Sequence, residues 1–304
     1  MSDKYLIVVL GPTASGKTAI GIEIARYYQT EIISADSRQI YKGLYIGTAQ
    51  PTFTERTAIK HHLIDFVDLD RLYTVADYEM DSLNLLNLLF KNNNIVVMVG
   101  GTGLYIKSVC NGLDKIPDVP EKIRNEVELM YKEHGLNKCA SELEKLDRFC
   151  YKHIDLNNKS RVLRALKVIK STGQPIYSFF NKTSNNRDFK VIYIGLNLDK
   201  TVLLDRINKR VDKMITNGLV DEARKFIKYR NCNSLQTIGY KDVYEYLDNN
   251  TLNLENLMTN IKLRTRQYAK RQMTWFRKNK DIIWFKNHDL NNIIKTTNNL
   301  IGLK

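Results

Sequence analysis

The sequence predicts an α/β fold: a parallel sheet flanked by helices, with an all-helical module inserted into it. Three observations predict it. Short, continuous apolar runs alternate with amphipathic stretches over the first hundred residues and return near residue 190, as strands buried on both faces and their crossover helices do. A glycine-rich turn joins the first apolar run to the first amphipathic stretch. From residue 117 to residue 185 every periodic segment has helical spacing, and no strand-like run interrupts it.

In chain order, Tyr5–Leu10 is a run of six residues without a charge, the mark of a central parallel strand. Gly11–Thr18 is the turn, and Ala19–Tyr28 reads as a helix. A second strand, Glu31–Ala35, ends at Asp36-Ser37. Val75–Phe90 places Tyr78, Leu85, Leu86 and Leu89 on one helical face, and the next strand, Ile95–Val99, runs into Gly100-Gly101-Thr102-Gly103. Pro117-Asp118-Val119-Pro120 opens the helical module, with helices expected at Glu121–Tyr131, Lys138–Leu146 and Lys159–Thr172. Val191–Leu196 restores the sheet, followed by helices at Lys200–Asn217, Val220–Arg230 and Leu257–Lys280, a late strand at Ile282–Phe285 and a terminal helix. The expected organisation is a catalytic core of residues 1–116 and 186–304 around a helical insertion of residues 117–185.

Composition narrows the class. With 304 residues and 43% hydrophobic, the chain can bury a sizeable core. Its longest apolar runs are strand-sized, so no membrane span is expected, and Met1–Lys4 carries no secretory apolar stretch. Cys110, Cys139, Cys150 and Cys232 form no Cys-x-x-Cys pair, so neither a zinc knuckle nor a disulfide framework is expected. A cytoplasmic, monomeric enzyme is the expectation. Lys and Arg outnumber Asp and Glu 47 to 33, a formal charge of +14, which points to a polyanionic partner.

Gly11-Pro12-Thr13-Ala14-Ser15-Gly16-Lys17-Thr18 matches G-x-x-x-x-G-K-[ST] between a strand and a helix, which makes the core P-loop NTPase-like. Its glycines let backbone N–H groups converge on phosphate oxygens. Lys17 adds a movable charge, and the Thr18 hydroxyl suits Mg²⁺. The acid that usually ends a neighbouring strand in nucleotide-hydrolysing proteins is missing after Val99. It stands instead at Asp36, either capping a helix or accepting a proton from a nucleophile. Thr102 is placed to cap the following helix and to line the ligand crevice. Adjacent His61 and His62 would point opposite ways in an extended segment and suit packing better than metal binding. Arg206 and Arg210, four apart, either clamp an anion or form a solvated face. Lys262–Lys280 holds eight basic residues and no acid, interleaved with Tyr268, Trp275 and Phe276, as a nucleic-acid surface requires. Arg264, Arg266 and Arg271 are its candidate phosphate contacts, and Ser160-Arg161-Val162-Leu163-Arg164 is a second basic point.

Taken together these residues resemble the tRNA dimethylallyltransferase family. The matching stretches are Gly11–Thr18, Asp36–Tyr41 with Ile46–Ala49, His61–Asp65, Val75–Tyr78, Gly100–Tyr105, Arg210-Val211 with Met214, Gly218–Val220, Ile238–Lys241, Arg264–Gln272 and Trp275-Phe276, in family order. The chain departs from the family pattern at Tyr45, where Asp is usual, at Gln50, where Lys is usual, and at Leu156-Asn157, which interrupts a turn that usually contains Asp/Asn-Pro. The resemblance implies transfer of a dimethylallyl group from dimethylallyl diphosphate to N6 of the adenosine 3′ to the anticodon (A37), releasing diphosphate, with Mg²⁺ as cofactor. It implies Asp36 as general base, with Lys17, Thr102 and Arg210 in the catalytic set. It also implies tRNA contacts at Asp36, Ser37, Arg38, Gln39, Thr102, Arg124 and Ser160–Arg164. Three other readings stand beside it. A small-molecule kinase would leave the basic helix unused. A nucleic-acid-binding protein would waste Lys17 and Asp36. A transferase acting on free adenylate needs neither the basic helix nor the insertion.

Overall fold

The computed structural model describes residues 3–180, 186–249, 253–286 and 289–303. Its elements run β1 (Tyr5–Leu10), α1 (Lys17–Tyr27), β2 (Ile32–Ala35), α2 (Phe53–Ala58), β3 (His61–His62), α3 (Val75–Leu89), β4 (Ile95–Gly100) and α4 (Gly103–Asn111). Then come α5 (Glu121–Leu146), α6 (Arg148–His153), α7 (Lys159–Thr172), β5 (Lys190–Asn197), α8 (Lys200–Thr216) and α9 (Leu219–Lys225). Last are α10 (Tyr240–Asp248), α11 (Leu254–Phe276), β6 (Ile282–Lys286) and α12 (Leu290–Ile301). The chain divides into two units, Met1–Asn111 with Arg187–Lys304, and Gly112–Asn186. The expected end of the insertion, residue 185, lies outside the described residues.

In the first unit the strands form one parallel sheet in the order β3-β2-β4-β1-β5-β6. Side chains alternate across β1, so Leu6, Val8 and Leu10 join Ile33, Val96 and Met98 in one core. Ile7 and Val9 join Ile24, Ile32, Val97 and Ile194 in the other. Helices cover both faces, which is why these strands read as continuous apolar runs. Because every strand is parallel, their carboxyl ends share one edge. Leu10 and Ala35 both sit opposite Gly100, which brings the loops after β1, β2 and β4 side by side. A Cβ on Gly100 would lie 2.2 Å from the Ala35 carbonyl oxygen, so the β2–β4 approach requires glycine there.

The second unit is helical and has its own core of Val127, Cys139, Leu143, Cys150, Val162, Leu163 and Leu166. The two helices expected at 121–131 and 138–146 are the halves of α5, separated by Gly135 at φ 76°, ψ −177°. Val162 and Leu163, expected among the tRNA contacts, are buried in this core, since both lie on the apolar face of α7; their side chains are closed to a ligand. Arg124, Ser160, Arg161 and Arg164 are exposed.

The structure adds β3, α2, α6 and α10 to the elements read from sequence. The expected helix at 220–230 ends at Lys225 and gives way to a short 3-10 turn, Ile227–Tyr229. No helix of the described residues is long and apolar enough to cross a membrane.

Candidate active site

The loop after β1 wraps tightly. Gly11 has φ 152°, where a Cβ would meet the Leu196 carbonyl at 2.8 Å, and Gly16 caps α1 at φ 84°. Ala14 shares the left-handed region at φ 62°, and Ser15 is fully buried beneath the loop. The first turn of α1 then offers backbone N–H groups that no helical carbonyl can satisfy. Of the eight loop residues, Thr13, Lys17 and Thr18 line a cavity of about 80 Å³. Pro12 contributes its carbonyl, which accepts a hydrogen bond from Lys17 Nζ at 2.6 Å. Burial pushes the Lys17 ammonium down to about 7, and the nearby Arg210 charge works in the same direction, while Asp36 opposes both.

Asp36 follows β2 as expected. Its Oδ1 accepts from the Arg38 N–H at 2.8 Å and the Gln39 N–H at 3.3 Å, an Asx turn that fixes the carboxylate over the strand end. Gln39 continues the scaffold by donating from Nε2 to the carbonyls of Thr48 and Ala49 at 3.3 and 3.0 Å. Gln50 donates to the Gln39 carbonyl at 3.0 Å, so the departure from Lys at this position supplies a neutral brace inside a buried turn. Tyr45, a second departure, donates its phenol to Asp65 Oδ2 at 3.0 Å. The 45–47 backbone is gathered by one buried carboxylate: Glu222 of α9 accepts from the N–H groups of Tyr45, Ile46 and Gly47, each at 3.0 Å, and from the Tyr240 hydroxyl at 2.5 Å.

Thr102 stands immediately before α4 and is not among the residues lining this cavity. Its Oγ1 accepts from the Ser37 N–H at 3.0 Å, and its backbone N–H donates to the Ala35 carbonyl at 3.1 Å. It therefore holds the residue after Asp36. His61 lines the small cavity with Nδ1 against the Ile59 carbonyl, and burial depresses its basicity. His62 pairs with Glu31. Among the described residues no group of three His, Cys, Asp or Glu side chains gathers to hold a metal. The donor set does fit Mg²⁺, a hard cation that needs one or two protein oxygens and takes the rest from diphosphate and water; the Thr18 hydroxyl stands in the same wall as Asp36.

A second cavity, about 530 Å³, opens beside the first. Its walls include Ser37, Arg38, Gly47, Thr48, Lys241, Arg264 and Arg271. Thr13, Asp36, Arg210 and Tyr268 line both cavities. Arg210 of α8 thus faces the site, whereas Arg206 lines neither cavity. Burial lowers the Arg210 guanidinium, against the stabilising charge of Asp36. Burial also pushes the Tyr268 phenol up to about 12, with Asp36 adding to the rise and a hydrogen bond to Thr102 opposing it.

The basic helix meets more acid than its own sequence shows. Arg264 pairs with Asp242 and Glu245 of α10, both at 2.9 Å, and Lys262 pairs with Asp212 of α8 at 2.5 Å. Arg266, expected to meet phosphate, lines neither cavity and donates to Asn208 at 2.7 Å. Arg271 remains open to the large cavity, 5.9 Å from the Tyr268 ring centre.

A model of the IPP transferase family matches residues 39–279. The chain belongs to the IPP transferase family. It is 45% identical over 282 residues to the tRNA dimethylallyltransferase of Christiangramia forsetii, covering 93% of each chain, and 42% identical over 280 residues to tRNA dimethylallyltransferase 1 of Phocaeicola vulgatus, covering 92% of this chain and 93% of the relative. Among solved structures it resembles the tRNA isopentenylpyrophosphate transferase of Bacillus halodurans, at 37% identity and TM-score 0.71, with 98% of this chain and 96% of that one covered. It also resembles a eukaryotic dimethylallyltransferase acting on tRNA, at 26% identity and TM-score 0.85, covering 98% of this chain and 80% of that one.

Sequence reasoning about this IPP transferase placed Tyr268 in the nucleic-acid surface of the basic helix but not in the small cavity, and assigned no role to Gln272 or Glu222. Tyr268 and Gln272 lie four apart on α11 and both reach the small cavity; the i, i+4 spacing was the available signal. Glu222 lies in the first turn of α9, and only tertiary structure shows it buried under the 45–47 backbone.

Proposed function

We propose that this protein is a tRNA dimethylallyltransferase, joining the dimethylallyl group of dimethylallyl diphosphate to N6 of A37 in tRNA and releasing diphosphate. Besides family membership, one observation carries the reading: the phosphate-loop cavity and the arginine-lined cavity meet at Asp36 and Arg210. A diphosphate and a nucleobase held one on each side face each other across a carboxylate.

The exocyclic amine of adenine is a weak nucleophile, because its lone pair is delocalised into the ring. As N6 bonds to the allylic carbon, the carbon–oxygen bond breaks and its electron pair leaves with diphosphate. Asp36 takes the N6 proton, held ready by the Arg38 and Gln39 N–H groups. Lys17, Arg210 and the first turn of α1 supply positive charge where the leaving group gains negative charge. Mg²⁺, when bound, would be held by the Thr18 hydroxyl and would neutralise part of the same charge. Thr102 acts through Ser37, fixing the backbone beside the base. The target adenosine leaves its stack to reach the cavity, and Arg271 and Tyr268 offer it a cation and a ring. The exposed Arg124, Ser160, Arg161 and Arg164 of the helical unit suit contacts to the tRNA backbone.

The test is incubation with radiolabelled dimethylallyl diphosphate, Mg²⁺ and unmodified tRNA, with AMP and ATP controls. Label in tRNA at A37 is the expected result. Label in AMP, or phosphate transfer from ATP, would contradict the reading.

A further inference from the structure

We infer that Gln272 is a positioning residue of the diphosphate pocket, clamping the phosphate loop to the end of β4 from the helix that also lines the large cavity. The inference deepens the prenyl-transfer reading and rests on it.

Gln272 is 6% exposed and contributes to the small cavity's wall. Its Oε1 accepts from the Thr13 N–H at 2.8 Å, and its Nε2 donates to the Gly101 carbonyl at 2.9 Å. One backbone partner can only donate and the other can only accept, so the amide sits one way round. Gly101 permits the approach, since a Cβ there would lie 2.3 Å from Nε2. The two loops joined in this way follow β1 and β4, strands already paired in the sheet.

The clamp has a consequence for the ligand. In a phosphate loop the backbone N–H groups are the ligand donors, yet Thr13 gives its N–H to Gln272. The N–H groups at the start of α1 and Lys17 remain to meet diphosphate. Gln272 fixes where that cluster stands relative to Asp36, because Thr13 is tied to the residue before Thr102, and Thr102 holds Ser37. One turn earlier on α11, Tyr268 lines both cavities, and Arg264 and Arg271 open onto the large one. A single helix therefore braces the leaving-group loop and presents cations to the RNA side.

The full-length Gln272→Met variant keeps side-chain length and deletes both hydrogen bonds. Gln272→Glu keeps an acceptor for Thr13, loses the donor to Gly101 and adds negative charge beside the diphosphate. Steady-state transfer to unmodified tRNA should show KM for dimethylallyl diphosphate rising about tenfold in Gln272→Met and further in Gln272→Glu. KM for tRNA should stay within about twofold, and calorimetric binding of inorganic diphosphate should weaken in parallel. An unchanged KM for dimethylallyl diphosphate with unchanged diphosphate binding would overturn the assignment, as would an equal rise in KM for both substrates. If the wild-type protein transfers no label, the prenyl-transfer reading fails separately, and the diphosphate titration still decides the role of Gln272.

Discussion

The small cavity takes most of its lining from the first hundred residues, around the ends of three neighbouring strands. The large one takes most of its lining from residues 210–271, on α8, α10, α11 and the turn before α10. The first is held by hydrogen bonds between loops close to the sheet, so its geometry follows from strand pairing. The second is held by ion pairs such as Arg264 with Asp242 and Glu245, so its charge depends on helix packing. The difference teaches which half of the site a short motif can specify. A diphosphate site needs a tight turn and a helix N-terminus, and both are local. A nucleobase site needs surfaces converging from several elements.

Substitutions at the shared wall break the comparison most severely. Asp36→Ala should lower single-turnover transfer by about 10² or more while leaving tRNA affinity within about twofold, as measured by filter binding. A smaller effect is expected on the diphosphate side alone. Lys17→Met should raise KM for dimethylallyl diphosphate by about 10-fold to 100-fold with little change in KM for tRNA. The pH dependence has a definite sign. The Lys17 ammonium of the free protein loses its proton as pH rises through about 7, and a bound anion restores the charged form. KM for dimethylallyl diphosphate should therefore increase above pH 7. Calorimetry at pH 8 in two buffers of different ionisation enthalpy should register proton uptake on diphosphate binding, and Lys17→Met should abolish that uptake.

The smallest effects belong to the large cavity, and they sharpen the contrast within the basic helix. Arg271→Gln should reduce the salt slope of tRNA binding by about one, because Arg271 opens to the cavity. Arg264→Gln should reduce it less, since two acids already offset that charge, and Arg266→Gln should leave it unchanged. Equal slopes in all three variants would show that the ion pairs do not set the RNA side.

Much of this was legible in the sequence. Tyr5–Leu10 and Ile95–Val99 announced central strands because both faces of each are covered, and Asp36 stood out because it ends a strand next to a phosphate loop. β3 was not legible, since two residues carry no periodicity. The length of the basic stripe was legible, but its partial neutralisation by α8 and α10 was not, because Asp212, Asp242 and Glu245 are distant in sequence. Val162 and Leu163 misled for a related reason. A stretch expected to contact RNA still needs an inward face, and α7 turns that pair into its core.

The central claim is that diphosphate and base occupy different cavities meeting at Asp36. It is tested most directly by the inhibition pattern of inorganic diphosphate against each substrate in turn. Inhibition competitive with dimethylallyl diphosphate and not with tRNA is the predicted result. Inhibition competitive with tRNA, or not competitive with dimethylallyl diphosphate, would contradict it.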